Sequence, residues 1–430
     1  MTTKNAFLNN KEQFKKIFFF IPLYGFLKLS SLTAPLFLSN ILSKKDYGEF
    51  EYAFSIGVIL GVFLDFGFSG SYSFFVLKQN KLKFIHIFRS FIVFVVTSTI
   101  TISSLLLYLK ILNQVVFIAI LIAVVWQFQM FTSSTLKTAN KAFLAIITDS
   151  IFFLLINLIT FFLLFFKIDY DRNILISTLL LYIIVMLGFY FYKSITTLKY
   201  IYFSVSALKT IIFYSFPFLL NGFLMMFLVN ISRILIEKYC GTIEVANYSF
   251  FFRISYLILS IYQVFNIFFF SKSYLMNSRN LDNYFFYVTL CATIVAYTLW
   301  FSIPLLNLPF TLLQDMTDNQ YKLFFILCSY AIFWVISAFN EGVLGRESVL
   351  VESNYYNTGL IIIFLALVYI ISHFTSITPN IIVTINYMVI FLVTQIQFYI
   401  LERKKIIFYK LHRFSIVYLF LSTSFYFFFL

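Results

Sequence analysis

The chain has 430 residues, 61% of them hydrophobic and only 11% charged, against roughly a quarter charged in a soluble domain. Apolar runs long enough to cross a bilayer as helices recur from end to end and do not alternate as strands would, which excludes a soluble domain and a β-barrel. The net charge of +14 sits in short loops between the runs, so it points to anionic lipid headgroups and not to nucleic acid.

The first element begins MTTKNAFLNNKEQFKKIFFF, a basic head before an apolar run. The run continues past Leu38 without a small-x-small cleavage site, so it reads as an uncleaved helix over 17–42. Gly25, Lys28, Ser31 and Pro35 share one face of it, which predicts a kinked helix lining a protein interior. Spans follow at 50–77, 88–109, 115–136, 142–166 and 174–192, then at 210–236, 245–270, 284–305, 322–343, 359–377 and 381–401. The fold class is therefore all-α and polytopic, with about 12 spans. A last apolar stretch, 414–430, is short, and reads either as a thirteenth span or as an interfacial helix. This divides the chain into an N-terminal lobe (1–200), a C-terminal lobe (201–401) and a basic cytoplasmic segment with an apolar tail (402–430).

Positive charge orients the spans. With the N-terminus inside, the outer loops hold only Lys44, Lys45, Lys110, Lys167, Arg172, Lys238 and Lys322 of the 31 Lys and Arg. Apart from Lys28, Arg233 and Arg253, the rest fall on the cytoplasmic side. The loops are short and leave no room for a folded domain outside the membrane. The 62 Phe, with abundant Ile, Tyr, Asn and Lys, are the residue set of AT-rich codons and carry no evidence of an aromatic binding surface.

LSKKDYGEFEYAFSI (42–56) aligns with CGTIEVANYSFFFRI (240–254). Each follows an apolar helix, turns, and leads into a helix rich in Tyr and Phe. The offset is near half the chain, as a six-plus-six duplication would give, with parallel repeats related by an axis along the membrane normal.

Six charged residues fall inside spans: Lys28, Asp65, Asp149, Arg233, Arg253 and Glu341. Facing lipid, each would cost about 2.5–3.5 kcal/mol, so most must face a polar interior. In the eighth span Ser249, Arg253, Tyr256, Ser260 and Gln263 form one helical face. In the second span Glu51, Ser55, Asp65, Ser69 and Tyr72 do the same. In the alignment Glu51 lies over Ser249, Ser55 over Arg253 and Asp65 over Gln263. The two stripes read as opposing walls of a cavity, or else as hydrogen-bonding faces of a closed bundle. Arg233 precedes Glu237 by one turn, which predicts a local pair near the outer interface. Lys28 and Asp65 fall near mid-depth on neighbouring spans and can neutralise each other or gate. Asp149 and Glu341 lie near cytoplasmic ends and, with Asp65, are candidates for H⁺ or Na⁺ coupling. Arg253 sits about 13 Å deep with no acid one turn away. It is the leading candidate for substrate contact, with Arg233, Ser249, Tyr256 and Gln263 around it.

Catalytic signatures are absent. There is no GxxxxGK[ST], and His86, His373 and His412 are isolated. Asp169-Tyr170-Asp171 matches a DxD pattern but occupies a small outer loop where nucleotide sugars are not available. Cys240, Cys291 and Cys328 are scattered and indicate neither a disulfide framework nor a metal site. No enzyme activity, metal or cofactor is expected.

Residues 32–75 and 232–255 resemble a polysaccharide-export flippase of the multidrug/oligosaccharidyl-lipid/polysaccharide superfamily, most of all the O-antigen or capsular repeat-unit flippases. Tyr47-Gly48 and Asp65-Phe66-Gly67 match the first motif. Arg233, Gly241, Val245 and Tyr248 match the second, where Ser232 stands in place of an acid and Ala246 in place of a glycine. The resemblance implies two six-helix lobes around a V-shaped cavity that opens alternately to either face. It implies transport of an undecaprenyl-diphosphate-linked oligosaccharide to the outer face of a bacterial inner membrane, with Lys28 and Arg253 near the diphosphate. The implied partners are that substrate, membrane lipids, and the polysaccharide polymerase and chain-length machinery, the protein itself being a monomer. Two rivals stand beside it. A cation-coupled multidrug extruder of the same superfamily would favour acidic cavity residues. A membrane glycan polymerase would need a sizeable outer loop, which the sequence lacks.

Overall fold

A computed structural model describes residues 22, 25–27, 29–31, 33–78, 84–139, 141–166, 172–195, 205–306, 310–314, 316–347 and 349–429. Lys28, with its expected pairing to Asp65, and the Asp169-Tyr170-Asp171 pattern lie outside the described residues. All regular structure among the described residues is helical. After α1 (33–41) come α2 (Lys44–Asp65), α3 (Phe68–Ser73) with a π turn (Phe74–Lys78), α4 (Phe84–Tyr108), α5 (Gln114–Thr138), α6 (Ala142–Phe166) and α7 (Arg172–Ile195). Then follow α8 (Val205–Cys240), α9 (Thr242–Leu275), α10 (Ser278–Ser302), the short α11 (Thr311–Gln314), α12 (Asp318–Arg346), α13 (Leu350–Phe374), α14 (Pro379–Arg403) and α15 (Tyr409–Phe429). Among the described residues ten helices are long and apolar enough to cross a membrane. The chain is a multi-pass, all-α membrane protein.

In the first half α2 packs along α5, where Gly57 and Gly61 admit the backbone of Ala119 and Ala123 to close range. In the second half α12 is almost wholly buried among α9, α10 and α14. The halves meet where α2 lies against α8 and α9.

Two expectations about the second span are corrected. First, the helix begins at Lys44 and not at residue 50, so Asp46-Tyr47-Gly48 is helical. The chain turns at Leu42-Ser43, and α2 is already helical from Lys44, with the Asp46 N–H donating 3.1 Å to Ser43 Oγ as an N-cap. Gly48 serves a different need. A Cβ there would stand 1.9 Å from the Thr242 carbonyl oxygen, so glycine lets the start of α2 touch the start of α9. In the second copy the turn is made by Gly241, at φ +91°. Each hairpin thus delivers a helix to the same junction.

Second, residues 50–77 are not one continuous helix. Phe66 and Gly67 adopt left-handed φ of 52° and 70° and break it. The break is stitched from both sides. The Asp65 carboxylate accepts the Ser69 N–H at 3.0 Å and its hydroxyl at 2.6 Å, capping α3. Gln127 Nε2 donates 2.7 Å to the freed Leu64 carbonyl. Gly67 itself is held against α8, where an added Cβ would come within 2.3 Å of the Ser215 carbonyl oxygen.

The C-terminal stretch packs along α10. Asp282, near the start of α10, accepts the N–H groups of Lys410 and Leu411 at 2.9 Å each, capping the start of α15. Near the other end, Trp300 of α10 meets Phe425 of α15 at 5.5 Å between rings. The two helices are therefore parallel over their length, and α15 is about 31 Å long, which favours its reading as a thirteenth span over an interfacial helix.

Candidate functional site

A cavity of about 770 Å³ lies between the halves, walled by α5, α6 and the α2–α3 break on one side and by α8 and α9 on the other. Gly25 and Ser31 also line it, as expected of the first-span face. One end lies at the junction of the two hairpins and holds a buried charge cluster.

Glu51 of α2 is fully buried and faces two arginines of the other half. Arg253 of α9 meets it at two points, Nε to Oε1 and Nη2 to Oε2, each 3.1 Å. Arg233 of α8 places Nε 3.5 Å from Oε2. The Tyr47 hydroxyl adds a contact to Oε1 at 3.4 Å. Arg233 also donates from Nε to Ser249 Oγ at 2.8 Å and from Nη1 to Asn230 Oδ1 at 3.1 Å. Its Nη2 is buried without a hydrogen-bond partner among the described residues. Aromatic rings complete the cage, with Arg233 Cζ 4.4 Å from the Phe252 ring and Arg253 Cζ 4.6 Å from the Phe54 ring. Two guanidiniums share one carboxylate, so the cluster has a formal surplus of one positive charge. Little of it reaches water: the side chain of Arg253 is 11% exposed and that of Arg233 is 2% exposed.

The expected Arg233–Glu237 pair is therefore not what forms. Arg233 turns inward to Glu51 and Ser249, because a guanidinium buried at this depth needs a countercharge more than a local i,i+4 partner at the interface. Arg253 has no acid one turn away on its own helix, as read, and draws one from α2. Ser249 holds Arg233 in place and does not line the cavity. Tyr256 and Gln263 do line it, with Gln263 Nε2 donating 3.2 Å to the Tyr256 hydroxyl.

Of the three acids singled out for coupling, only Asp149 lines the cavity. It lies 3.6 Å from Lys137 Nζ and accepts from Ser133 Oγ at 3.0 Å. Asp65 is bound by Ser69 at the helix break. Glu341 of α12 lies apart from the cavity, with Oε1 buried and without a hydrogen-bond partner among the described residues. The contribution of α5, through Trp126, Gln129, Ser133 and Lys137, is a wall the sequence reading missed. Gln129, Ser133 and Lys137 recur every four residues and so mark one polar helix face.

No protein-family model and no curated protein sequence matches the chain. Among solved structures, an inward-facing conformation of a multidrug resistance MATE family transporter of the MOP superfamily is similar at a TM-score of 0.62 and 16% identity, over 88% of this chain and 94% of that one. The likeness is one of fold.

Proposed function

We propose that this chain is an alternating-access transporter that carries an amphiphile with a phosphate-bearing headgroup across the membrane, of the kind an undecaprenyl-diphosphate-linked oligosaccharide presents. The observation that carries the reading is the Arg233–Glu51–Arg253 cluster, with two guanidiniums to one carboxylate and an unmet donor at the end of a cavity between the halves. Guanidinium forks match phosphate oxygens in geometry and charge. At the cavity's other end Lys137 and Asp149 cancel, so among the described lining residues the surplus is positive. The fold likeness supports transport in place of catalysis. On this reading the lobes, 1–200 and 201–401, rock about the α2–α9 junction, with the N-terminus cytoplasmic and the protein in a bacterial inner membrane. Glu341, whose buried carboxylate is not hydrogen-bonded at Oε1, is the leading candidate for H⁺ or Na⁺ coupling.

A second reading is a cation-coupled multidrug extruder. The fold comparison supports it more directly than it supports a glycan flippase, because the similar structure is a multidrug resistance transporter. The aromatic lining from Phe54, Trp126, Phe153 and Tyr256 would also suit an apolar drug. The positive surplus disfavours cationic drugs.

Reconstitution in proteoliposomes separates the two. Translocation of a fluorescent polyprenyl-diphosphate sugar, lost in Arg253→Ala, supports the first reading. Efflux of a cationic dye under an H⁺ or Na⁺ gradient, with no lipid-diphosphate translocation, replaces it with the second.

A further inference from the structure

We infer that Glu51 is an internal counter-anion standing where a substrate's phosphate group goes, and that the arriving anion displaces it from Arg253 and so unlocks the hairpin end of the cavity. The inference rests on the reading of an anionic substrate made above.

The charges lie on opposite halves. Glu51 rides on α2, while both arginines ride on α8 and α9. Glu51 has no exposed side-chain surface, whereas Arg253 is the member that both lines the cavity and keeps some exposure. An anion entering the cavity therefore meets Arg253 first and can compete for the groups that now bind Glu51.

Charge balance then favours exchange over addition. A lipid diphosphate brings about two negative charges, which two guanidiniums balance only if Glu51 leaves. With Glu51 retained, three negative charges would face two positive ones in a dry site, an arrangement burial strongly penalises. The unmet Nη2 of Arg233 adds a donor for the incoming group.

Release has a mechanical consequence. Glu51 follows Gly48 by one turn of α2, and Gly48 is the point at which α2 touches Thr242 of α9. The ion pair and the backbone contact thus close the same junction. Breaking the pair leaves the contact without its electrostatic clamp.

The test uses the full-length protein in nanodiscs, with geranylgeranyl diphosphate as the probe and Cys240, Cys291 and Cys328 replaced. Calorimetry reports affinity, and spin labels at Lys45→Cys and Ile243→Cys report the separation of the two hairpins. Diphosphate is expected to lengthen the label distance in the unmodified cluster. Glu51→Gln is expected to lengthen it without ligand and to tighten diphosphate binding about tenfold or more, since the internal competitor is gone. Glu51→Asp draws the carboxylate back by one methylene, gives a smaller gain in the same direction, and carries the test if the glutamine variant does not fold. A purely structural role for Glu51 would loosen the site and lower affinity in both variants. Unchanged or weaker binding in both, with binding still lost in Arg253→Gln, overturns the exchange and leaves the anion site standing. Absence of diphosphate binding in the unmodified protein and in both Glu51 variants overturns the anionic reading together with the exchange.

Discussion

The Glu51 carboxylate and the Arg253 guanidinium form a two-point pair across 202 residues of sequence, joining α2 of the first half to α9 of the second. A buried pair of this kind adds little net stability, since desolvation offsets much of the attraction. Its weight is in what it specifies. Neither charge is satisfied unless the two halves meet at this junction, so the pair ties a local polar stripe to the global arrangement of the lobes.

The cluster predicts unequal losses on truncation. Glu51→Ala leaves two buried guanidiniums without a countercharge and is expected to cost about 3–5 kcal/mol. Arg253→Ala leaves Arg233 paired with Glu51 in a neutral site and is expected to cost clearly less, while abolishing lipid-diphosphate translocation. Thermal unfolding in detergent measures the first difference, and inner-leaflet accumulation of lipid-linked substrate with normal membrane insertion measures the second. Equal destabilisation by the two variants would make Arg253 a structural group, and unimpaired export by Arg253→Ala would remove it from the transport site.

How far the site was legible follows from these residues. Arg253 stands out in the sequence because Ser249, Tyr256, Ser260 and Gln263 share its face at helical spacing. Its partner does not, because periodicity within a helix says nothing about which distant helix lies opposite. The alignment that sets Glu51 over Ser249 predicts facing walls, and the walls part along the cavity but touch at the hairpin end. Arg233 does line the cavity, but its partner was misread, because Glu237 at i+4 is a local signal and Glu51 is not. The helix pattern itself was well marked, since bilayer thickness fixes the length of each apolar run. The break at Phe66-Gly67 was hidden because Phe63, Leu64, Phe66 and Phe68 carry the apolar run straight across it.

Close approach at Gly48 makes the junction sensitive to a single side chain. Gly48→Val would place its Cβ on the Thr242 carbonyl and is expected to destabilise by about 1–3 kcal/mol through overpacking. Opening of the hairpin end should also expose Cys240, which is now half-buried and donates to the Ile377 carbonyl. Maleimide labelling read at Cys240 by peptide mass spectrometry should rise above the unmodified level. Labelling equal to that level, with unchanged melting, would show that α2 and α9 do not hold the junction closed.

Gly67 and Gly188 form a matched comparison. Gly67→Ala must hold a left-handed φ and drive a Cβ toward the Ser215 carbonyl, and is expected to cost about 1–3 kcal/mol. Gly188 lies in α7 with open space around its Cβ direction, so Gly188→Ala should be neutral or stabilising by about 0.5–1 kcal/mol. Melting temperatures of the two variants give the ranking. Similar values would mean that the α2–α3 break does not depend on glycine.

The parallel packing of α15 on α10 predicts that the two helices run through the membrane in the same direction. Asp282 binds the start of α15 at one end, and Trp300 and Phe425 meet at the other. Between them Tyr297 and Tyr418 pack at 6.4 Å, so contact is maintained along the shared length. An interfacial helix would lie across the ends of the spans and could not follow α10 in this way. On the proposed cytoplasmic N-terminus α10 runs outward, and α15, parallel to it, is expected to run the same way. A phosphatase fused after Leu430 is then expected to be active outside the membrane, and a fluorescent protein that fails to fold outside is expected to be dark there. Fusions placed in the basic segment after Lys405 should give the reverse pattern. Loss of the Asp282 cap through Asp282→Ala should weaken the docking of α15 without changing the location of the Lys405 fusion. A C-terminal fusion that reports from the same side as Lys405 would show that α15 does not cross the membrane.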